Sequence, residues 1–196
     1  MKLTDYTLVQ YLELLQSDAP APGGGTASAL AGAQGIALLR MVCALTLGKE
    51  KYAASQEICL AAQAACEPLT RVLADAISAD AAAYDAVFAA YKMPKGTEDE
   101  KRSRGAAIAA ATLHATEIPF SVLQAAVSGL SIAASLAGNT NPNADSDLGS
   151  AVANLRACAT GAWLNVKINL PGVKDEAKAE YFRTQGEKYL AEAAAF

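Results

Sequence analysis

The sequence predicts an all-α protein with a single domain, residues 1–196, folded as a bundle of about six long antiparallel helices. Alanine, the best helix former, occupies 46 of the 196 positions. Apolar residues recur at spacings of three and four along most of the chain, and no pattern typical of a β-hairpin interrupts them. A hydrophobic content of 53% and a charged content of 18% provide enough apolar surface for one core.

Proline, glycine and capping residues set the predicted helix boundaries. Thr26 is the expected N-cap of the second helix, and Thr97 with Glu100 forms a capping-box pattern at the start of the fourth. Pro68 and Pro119 fall inside predicted helices, where we expect a kink or, at Pro68, a break. The predicted helices cover residues 4–16, 27–47, 50–91, 97–136, 145–170 and 174–195.

Composition argues against several classes of protein. A net charge of -4 disfavours nucleic acid as a partner. The four cysteines have no CxxC spacing and lie in apolar helical patterns, so we expect buried reduced thiols instead of zinc ligands or disulfides. No signal peptide is predicted at the N-terminus, and the polar Gln34 and Arg40 disfavour a membrane span over residues 27–47. These features predict a cytoplasmic protein that does not bind membranes.

A glycine-rich segment, Pro20–Thr26 (PAPGGGT), directly precedes the second predicted helix. Glycine lets a ligand approach the main chain closely, and the free N–H groups at a helix N-terminus attract anions. The segment can therefore be one wall of a binding site for a negatively charged ligand, formed by Gly23, Gly24 and Gly25. The alternative is that it is only a sharp entry turn, and the segment taken alone favours this alternative.

Asp80 lies in an otherwise apolar stripe of the third predicted helix. A carboxylate removed from water needs a partner or a raised pKa, and such a group suits a general acid or base, or a counter-charge for a cation. The structural alternative is a carboxylate bonded to a neighbouring helix end or basic side chain, and spacing alone favours it.

A second line of polar residues lies along the fifth predicted helix. Its members can grip a heteroaromatic ligand, form a buried polar layer or lie at a solvated edge, and spacing alone does not separate these possibilities. His114 is the only histidine, so a metal site built from several histidines is excluded and catalysis would depend on carboxylates, lysines, hydroxyls or amides. The polar line consists of Asp147, Asn154, Asn165 and Asn169.

Five segments, taken in order, resemble motifs of the cyclodeaminase/cyclohydrolase family of folate enzymes. Each is short, but the ordered set extends over nearly the whole chain. The resemblance implies an all-helical homodimer with active sites near the subunit contacts. It also implies a tetrahydrofolate substrate, with or without a polyglutamate tail, and no further cofactor or metal. The segments are PAPGGG (20–25), MVCALTLGKEKY (41–52), DAAAYDAVFAAYKMPK (80–95), GNTNPNADSDLG (138–149) and NVKINL (165–170).

The candidate site residues fall within these motifs, and their roles are inferred from chemistry. We predict Asp80 as the general acid/base and Asp147 as a second carboxylate that holds the cation or the pterin. The lysines are candidates for the carboxylates of the glutamate tail, although each can also be an ordinary surface charge. The predicted substrate contacts are Gly23, Gly24, Gly25, Lys49, Lys51, Tyr84, Lys95, Asn139 and Asn165.

Two reactions fit this resemblance. A cyclohydrolase adds water to 5,10-methenyltetrahydrofolate and forms 10-formyltetrahydrofolate, whereas a cyclodeaminase converts 5-formiminotetrahydrofolate to the methenyl compound and releases ammonia. The match over residues 41–52 and 84–95 favours the cyclohydrolase, as does a sequence with no formiminotransferase segment. The alternative of another class is a non-catalytic helical dimerisation or binding module. A nucleotide-binding protein fits less well, because the GxxxxGK[ST] motif is missing.

Overall fold

The computed structural model describes residues 2–196, and it is built from helices that enclose one hydrophobic core. Short 3₁₀ turns at 3–5, 50–55, 142–144 and 170–172 lie between or beside them. Along the described part of the chain no β-strand occurs, which confirms the predicted all-α class. The α-helices are α1 (Leu8–Leu15), α2 (Gly24–Ala44), α3 (Gln56–Lys92), α4 (Glu98–Leu136), α5 (Asp145–Asn169) and α6 (Glu176–Ala195).

Helix α2 lies at the centre of the bundle, where it packs against α3 and α5, and α4 closes the far side against both. Contacts of α2 with α3 and with α5 run in opposite chain directions, so α2 is antiparallel to both. Gly32 of α2 faces Leu73 of α3, and Gly35 faces Leu155 of α5. An added Cβ at either glycine would press into the opposing leucine, so the small residues set how closely α2 approaches its neighbours.

Several predicted boundaries need correction. The first predicted helix is divided, because Thr7 and Gln10 form a capping box that starts α1 at Leu8. The third predicted helix is interrupted at Tyr52, whose backbone angles are not helical (φ -115°, ψ 31°). Its α-helical part then continues past Pro68 without a break. Helix α2 begins at Gly24, three residues earlier than predicted, and the N-cap position belongs to Gly23 and not to Thr26.

The remaining predicted elements agree with the structure to within about two residues. The capping box of Thr97 and Glu100 is formed, with the Glu100 backbone nitrogen donating to Thr97 Oγ1 at 3.2 Å. Helix α4 continues through Pro119, and α6 is capped by the Asp175 carboxylate. All four cysteines are free and buried, as predicted, and burial raises the pKa of Cys158 to about 12.

Helices α2 and α4 are long and apolar enough to cross a membrane, judged by length and composition. Both are central helices of the bundle, and 44% and 56% of their most apolar windows are buried inside the protein. Packing within one core therefore accounts for their apolar character.

Candidate active site

The Asp80 carboxylate of α3 lies against the first turn of α2. Thr26 Oγ1 donates a hydrogen bond to Asp80 Oδ2 at 3.1 Å. A Cβ at Gly25 would overlap with the carboxylate, so only glycine leaves room for Asp80 at this position. The glycine segment and the candidate acid/base, 55 residues apart in the sequence, thus meet in one place.

The N-terminus of α2 has no side-chain cap. Gly23 occupies the N-cap position and makes no side-chain hydrogen bond, because glycine has none to offer. Thr26, the expected cap, is fully buried inside the first turn, where its hydroxyl binds Asp80 instead. The Thr26 backbone N–H of this turn donates to the Asp80 carboxylate. The preceding N–H groups of Gly24 and Gly25 have no side-chain acceptor at the cap and are suited to a polar ligand.

A cleft of about 430 Å³ opens beside Asp80. It combines apolar side chains with amide groups and the glycine backbone, and no lysine, arginine or histidine lies among its lining residues in the described chain. The ionisable side chains at its wall are Asp80 and Tyr84. The lining residues are Pro20, Ala21, Gly23, Gly24, Gly25, Asp80, Tyr84, Val87, Ala115, Asn165, Ile168 and Asn169.

Burial raises the pKa of Asp80 above the ordinary value of an aspartate, and hydrogen bonds from the Thr26 side chain and backbone partly oppose that rise. No cationic side chain at the cleft wall neutralises the carboxylate. Asp80 is therefore a carboxyl group that holds a proton more readily than a solvated aspartate does, which is the property required of a general acid/base.

Asn165 and Asn169 of α5 form the opposite wall. Asn165 Nδ2 donates to the backbone oxygen of Gly161, and Asn169 Nδ2 donates to that of Ala115, both at 2.8 Å. Among residues 2–196 no hydrogen bond uses their Oδ1 atoms, which leaves two fixed acceptors for a ligand. Of the three interpretations of this polar line, the ligand-facing one fits its C-terminal half.

The N-terminal half of the same line lies elsewhere. Asn154 Nδ2 bonds only to Ser150 of its own helix, and Asp147 lies in the first turn of α5. At 1.5 Å per residue, Asp147 is about 27 Å along the helix from Asn165. The structure thus does not bring Asp147 next to Asp80 within one chain.

A second polar cluster lies at the C-terminal end of α2. The loop that carries Asn139 docks there: the Asn141 backbone nitrogen donates to Thr46 Oγ1 at 3.0 Å, and Tyr52 Oη donates to Asn141 Oδ1 at 2.6 Å. Helix α2 is 21 residues long, so this cluster is about 30 Å from the glycine segment. Lys49, Lys51, Asn139 and Asp147 lie at this end, away from Asp80.

Two predicted substrate contacts remain. Tyr84 lines the cleft one turn after Asp80 on α3. Lys95 follows the end of α3, whose last residue, Lys92, is about 18 Å along the helix from Asp80. Glycines 23–25, Asp80, Tyr84 and Asn165 therefore share one cleft in a single chain, whereas the three lysines, Asn139 and Asp147 do not.

Sequence reasoning missed three residues near the carboxylate. Thr26 was expected to cap a helix, and its pairing with Asp80 has no local signal because 54 residues separate the two. Tyr11 lies at helical spacing from Leu8, Leu12 and Leu15 in the first predicted helix, and this spacing indicates only a packing residue. Asn169 was noted in the polar line but was not selected as a substrate contact, although its spacing of four from Asn165 on one helix could have indicated it.

Comparison with known proteins places this arrangement among folate enzymes. The chain is 40% identical to the methenyltetrahydrofolate cyclohydrolase of Methylorubrum extorquens, over 96% of this chain and 91% of that protein. It is 32% identical to the pig formimidoyltransferase-cyclodeaminase over 90% of this chain, and spans only 33% of that longer protein. A crystal structure of formiminotetrahydrofolate cyclodeaminase from Thermotoga maritima superposes with a TM-score of 0.81 at 26% identity, covering 99% and 91% of the two chains.

A family model supports the same assignment and agrees with the resemblance of the five motifs. The model described as formiminotransferase-cyclodeaminase matches residues 7–188, which include every element of the cleft beside Asp80. The chain therefore belongs to the formiminotransferase-cyclodeaminase family.

Proposed function

We propose that this protein is a methenyltetrahydrofolate cyclohydrolase whose active site is the cleft beside Asp80. The observation that carries the proposal is a partly buried carboxylate, its pKa raised by desolvation, in a cleft without cationic side chains. The similarity to the Methylorubrum cyclohydrolase over nearly the full length of both chains supports the choice of reaction.

The substrate carries a delocalised cation over N5, the bridging carbon and N10, and the reaction adds water to that carbon. Asp80 accepts one proton of the water as the new C–O bond forms. It returns this proton to N5 as the C–N5 bond breaks, and the proton of the new hydroxyl leaves as the formyl group forms on N10. The result is 10-formyltetrahydrofolate and one released proton. Asp80 transfers the proton in both steps, so the proposal requires no cofactor beyond the folate substrate.

The remaining residues of the cleft have complementary roles. An ionised Asp80 beside the bridging carbon stabilises the cationic substrate and the developing positive charge. The Oδ1 atoms of Asn165 and Asn169 can accept hydrogen bonds from the amino and ring N–H groups of a pterin. Tyr84 and Ile168 offer apolar surface to the flat ring system. The backbone of Gly23 and Gly24 allows the ring to approach the helix end closely.

Cyclodeaminase chemistry is the second candidate, favoured by the superposition on the Thermotoga maritima cyclodeaminase. In that reaction N10 attacks the formimino carbon on N5, and Asp80 would donate the proton that lets ammonia leave. Both reactions pass through a tetrahedral carbon between nitrogens, so one carboxylate can serve either. The alternative of another class is a non-catalytic helical module. It predicts that substitution of Asp80 has no effect on turnover.

We also propose that the protein acts as a cytoplasmic homodimer in which a second copy completes the site. The glutamate tail of a folate carries carboxylates, yet no cation lines the cleft of one chain. Ile168, at the cleft rim, is 78% exposed, and Leu164 and Phe88 are exposed one turn away from lining residues. Such an apolar rim is typical of a contact surface. Covering it with a partner can bring Lys49 or Lys51 of one copy towards Asp80 of the other.

The first test follows the absorbance of 5,10-methenyltetrahydrofolate with the wild-type protein and with Asp80→Asn. Loss of a general acid/base lowers the rate by about 10²–10⁴-fold, and Asp85→Asn, an exposed carboxylate on the same helix, is the matched control. Release of ammonia from 5-formiminotetrahydrofolate, with no acceleration of methenyl hydrolysis, would favour the cyclodeaminase. Turnover of neither folate would support the non-catalytic module.

The second test mixes two variants that a shared site would make inactive, Asp80→Asn and the double variant Lys49→Ala/Lys51→Ala, under conditions that exchange subunits. A site shared between two copies regains activity in the mixed dimer, because one of its two sites then has both the carboxylate and the lysines. A site contained in one chain lies about 30 Å from these lysines, so the double variant would be active by itself and mixing would add nothing. Light scattering of the wild-type protein measures the oligomeric state directly, and a monomer would refute the shared site.

A further inference from the structure

The hydroxyl group of Tyr11 is a buried polar group without a hydrogen-bond partner among the described residues. The side chain is 6% exposed, and Tyr11 is the only buried residue of α1. An apolar anchor would serve α1 equally well, and burying an unpaired hydroxyl costs free energy. The hydroxyl therefore needs an explanation that anchoring does not provide.

The position of the ring brings Tyr11 close to the candidate acid/base. Tyr11 shares a small pocket with Leu30 of α2 and Ile77 of α3. Leu30 lies one turn after Thr26, and Ile77 lies three residues before Asp80, so the ring packs on the layer adjacent to the hydrogen-bonded Thr26–Asp80 pair. Burial and, secondly, the negative charge of Asp80 raise the pKa of Tyr11, which keeps the phenol protonated and able to donate.

The groups around Asp80 leave few alternatives for its hydrogen bonds. Helix α2 presents the Thr26 hydroxyl, which donates to Oδ2, and the Thr26 backbone N–H, which also donates to the carboxylate. Helix α5 presents the uncharged amides of Asn165 and Asn169. Helix α4 contributes Ala115, and α3 itself contributes Tyr84 at the cleft wall. No lysine, arginine or histidine lies among these residues. The unpaired O–H on the N-terminal side is the phenol of Tyr11.

We propose that Tyr11 is a positioning residue for Asp80: its hydroxyl donates to the ionised carboxylate, directly or through one water, and holds it in the orientation required for proton transfer. This inference rests on the proposed function, since it assigns Tyr11 a part in the same reaction. Catalytic hydrogen bonds are often long before substrate binds, and a contact beyond direct reach is commonly bridged by water. The donor favours the charged form of Asp80 and so limits the effect of burial on its pKa.

The test is Tyr11→Phe, which keeps the ring that anchors α1 and removes only the hydroxyl. The acidic limb of the pH profile of kcat, set by ionisation of Asp80, should move upward by about one pH unit, while KM for methenyltetrahydrofolate changes little. Tyr6→Phe, which removes a phenolic hydroxyl from the same N-terminal segment, is the matched control and should keep the wild-type profile. A Tyr11→Phe profile identical to that of the wild type would overturn the proposal.

A readout without turnover separates this inference from the proposed function. The pKa of Asp80 can be measured by ¹³C NMR titration of its side-chain carboxyl, assigned by the signal lost in Asp80→Asn. Tyr11→Phe should raise that pKa in a protein whose circular dichroism shows the fold intact, and Tyr6→Phe should not. An unchanged pKa refutes the role of Tyr11 even if the enzyme is active. A raised pKa in a protein that turns over no folate supports the Tyr11–Asp80 contact and refutes only the reaction.

Discussion

Polar residues cluster at both ends of helix α2, but their hydrogen bonding differs between the two ends. At the C-terminal end, the side chains of Asn141, Thr46 and Tyr52 bond to one another and to the backbone. At the N-terminal end, Asp80 is partly buried with hydrogen bonds from Thr26 alone, and the hydroxyl of Tyr11 has no partner in the described chain.

This difference separates a structural network from a reactive one. Paired polar groups in a low-dielectric interior stabilise one arrangement, and removing a member costs stability. A carboxyl group that is partly removed from water and has few hydrogen bonds has a shifted pKa and costs free energy that the rest of the fold must offset, as is common at active sites. We therefore expect substitutions at the N-terminal end to change activity more than stability, and substitutions at the C-terminal end to do the opposite.

The largest effect on activity outside Asp80 itself is expected from Gly25→Ala. The added Cβ would occupy the space of the Asp80 carboxylate, and the short side chain would rotate away from Thr26 to avoid it. Displacement of a catalytic group by about 1 Å costs about 10²-fold in rate. Steady-state kinetics with 5,10-methenyltetrahydrofolate should show this loss in kcat, with an unfolding midpoint close to that of the wild type.

Gly105→Ala on α4 is the control for Gly25→Ala, because a Cβ there meets nothing within 4 Å. It should keep full activity and gain slight stability from the higher helix propensity of alanine. If Gly25→Ala retained wild-type kcat, catalysis would not depend on the present position of the Asp80 carboxylate. The proposal that the active site lies at the N-terminal end of α2 would then be wrong.

The sequence predicted the fold well because helices depend on local signals. Alanine content, spacing and the capping box of Thr97 and Glu100 are each contained within a few residues, and the structure confirms them. The errors at the starts of α1 and α2 arise because several residues within two or three positions can each serve as the helix N-cap. Thr26 illustrates this, because its hydroxyl is used in a tertiary contact with Asp80 that no local pattern records.

The site was predictable where an unusual residue interrupts a regular pattern. Asp80 in an apolar stripe and three adjacent glycines stand out in the sequence, and they meet in the structure. Lys49, Lys51 and Asp147 come from the same family motifs, yet they lie about 30 Å away in one chain. The order of motifs in a sequence does not show whether a residue contributes to the site of its own chain or to that of a second copy. The role of these three residues in substrate binding or catalysis therefore stays a prediction.

At the other end of α2, Asn141→Ala should lower the free energy of unfolding by about 2 kcal/mol. The change removes the acceptor for Tyr52 Oη and the donor to the Leu45 backbone oxygen, and it leaves those groups without their partners. Urea denaturation followed by circular dichroism measures the loss. Asn154→Ala is the control, since that amide bonds only to its own helix, and a similar loss in both variants would show that the network adds nothing specific.

The smallest expected effect is a pH-dependent gain in stability from Asp80→Asn. The pKa of Asp80 is raised in the folded state, so the folded protein binds this proton more tightly than the unfolded chain, whose aspartate titrates near 3.9. Stability from this group is therefore complete below the unfolded pKa and is lost as the pH rises through the folded pKa. Asparagine carries no charge at any of these pH values, so the variant avoids the cost of a partly desolvated anion at neutral pH.

Differential scanning calorimetry should accordingly show a Tm at pH 7 that is higher in Asp80→Asn than in the wild type, by an amount on the order of a few degrees. The difference should shrink towards zero as the pH falls to about 4. Asp85→Asn, at an exposed position of the same helix, should show no such trend. A variant less stable than the wild type by the same amount at every pH would mean that the Asp80 charge is already compensated. The two ends of α2 would then differ in the arrangement of their polar groups, and not in whether a charged group lacks a partner.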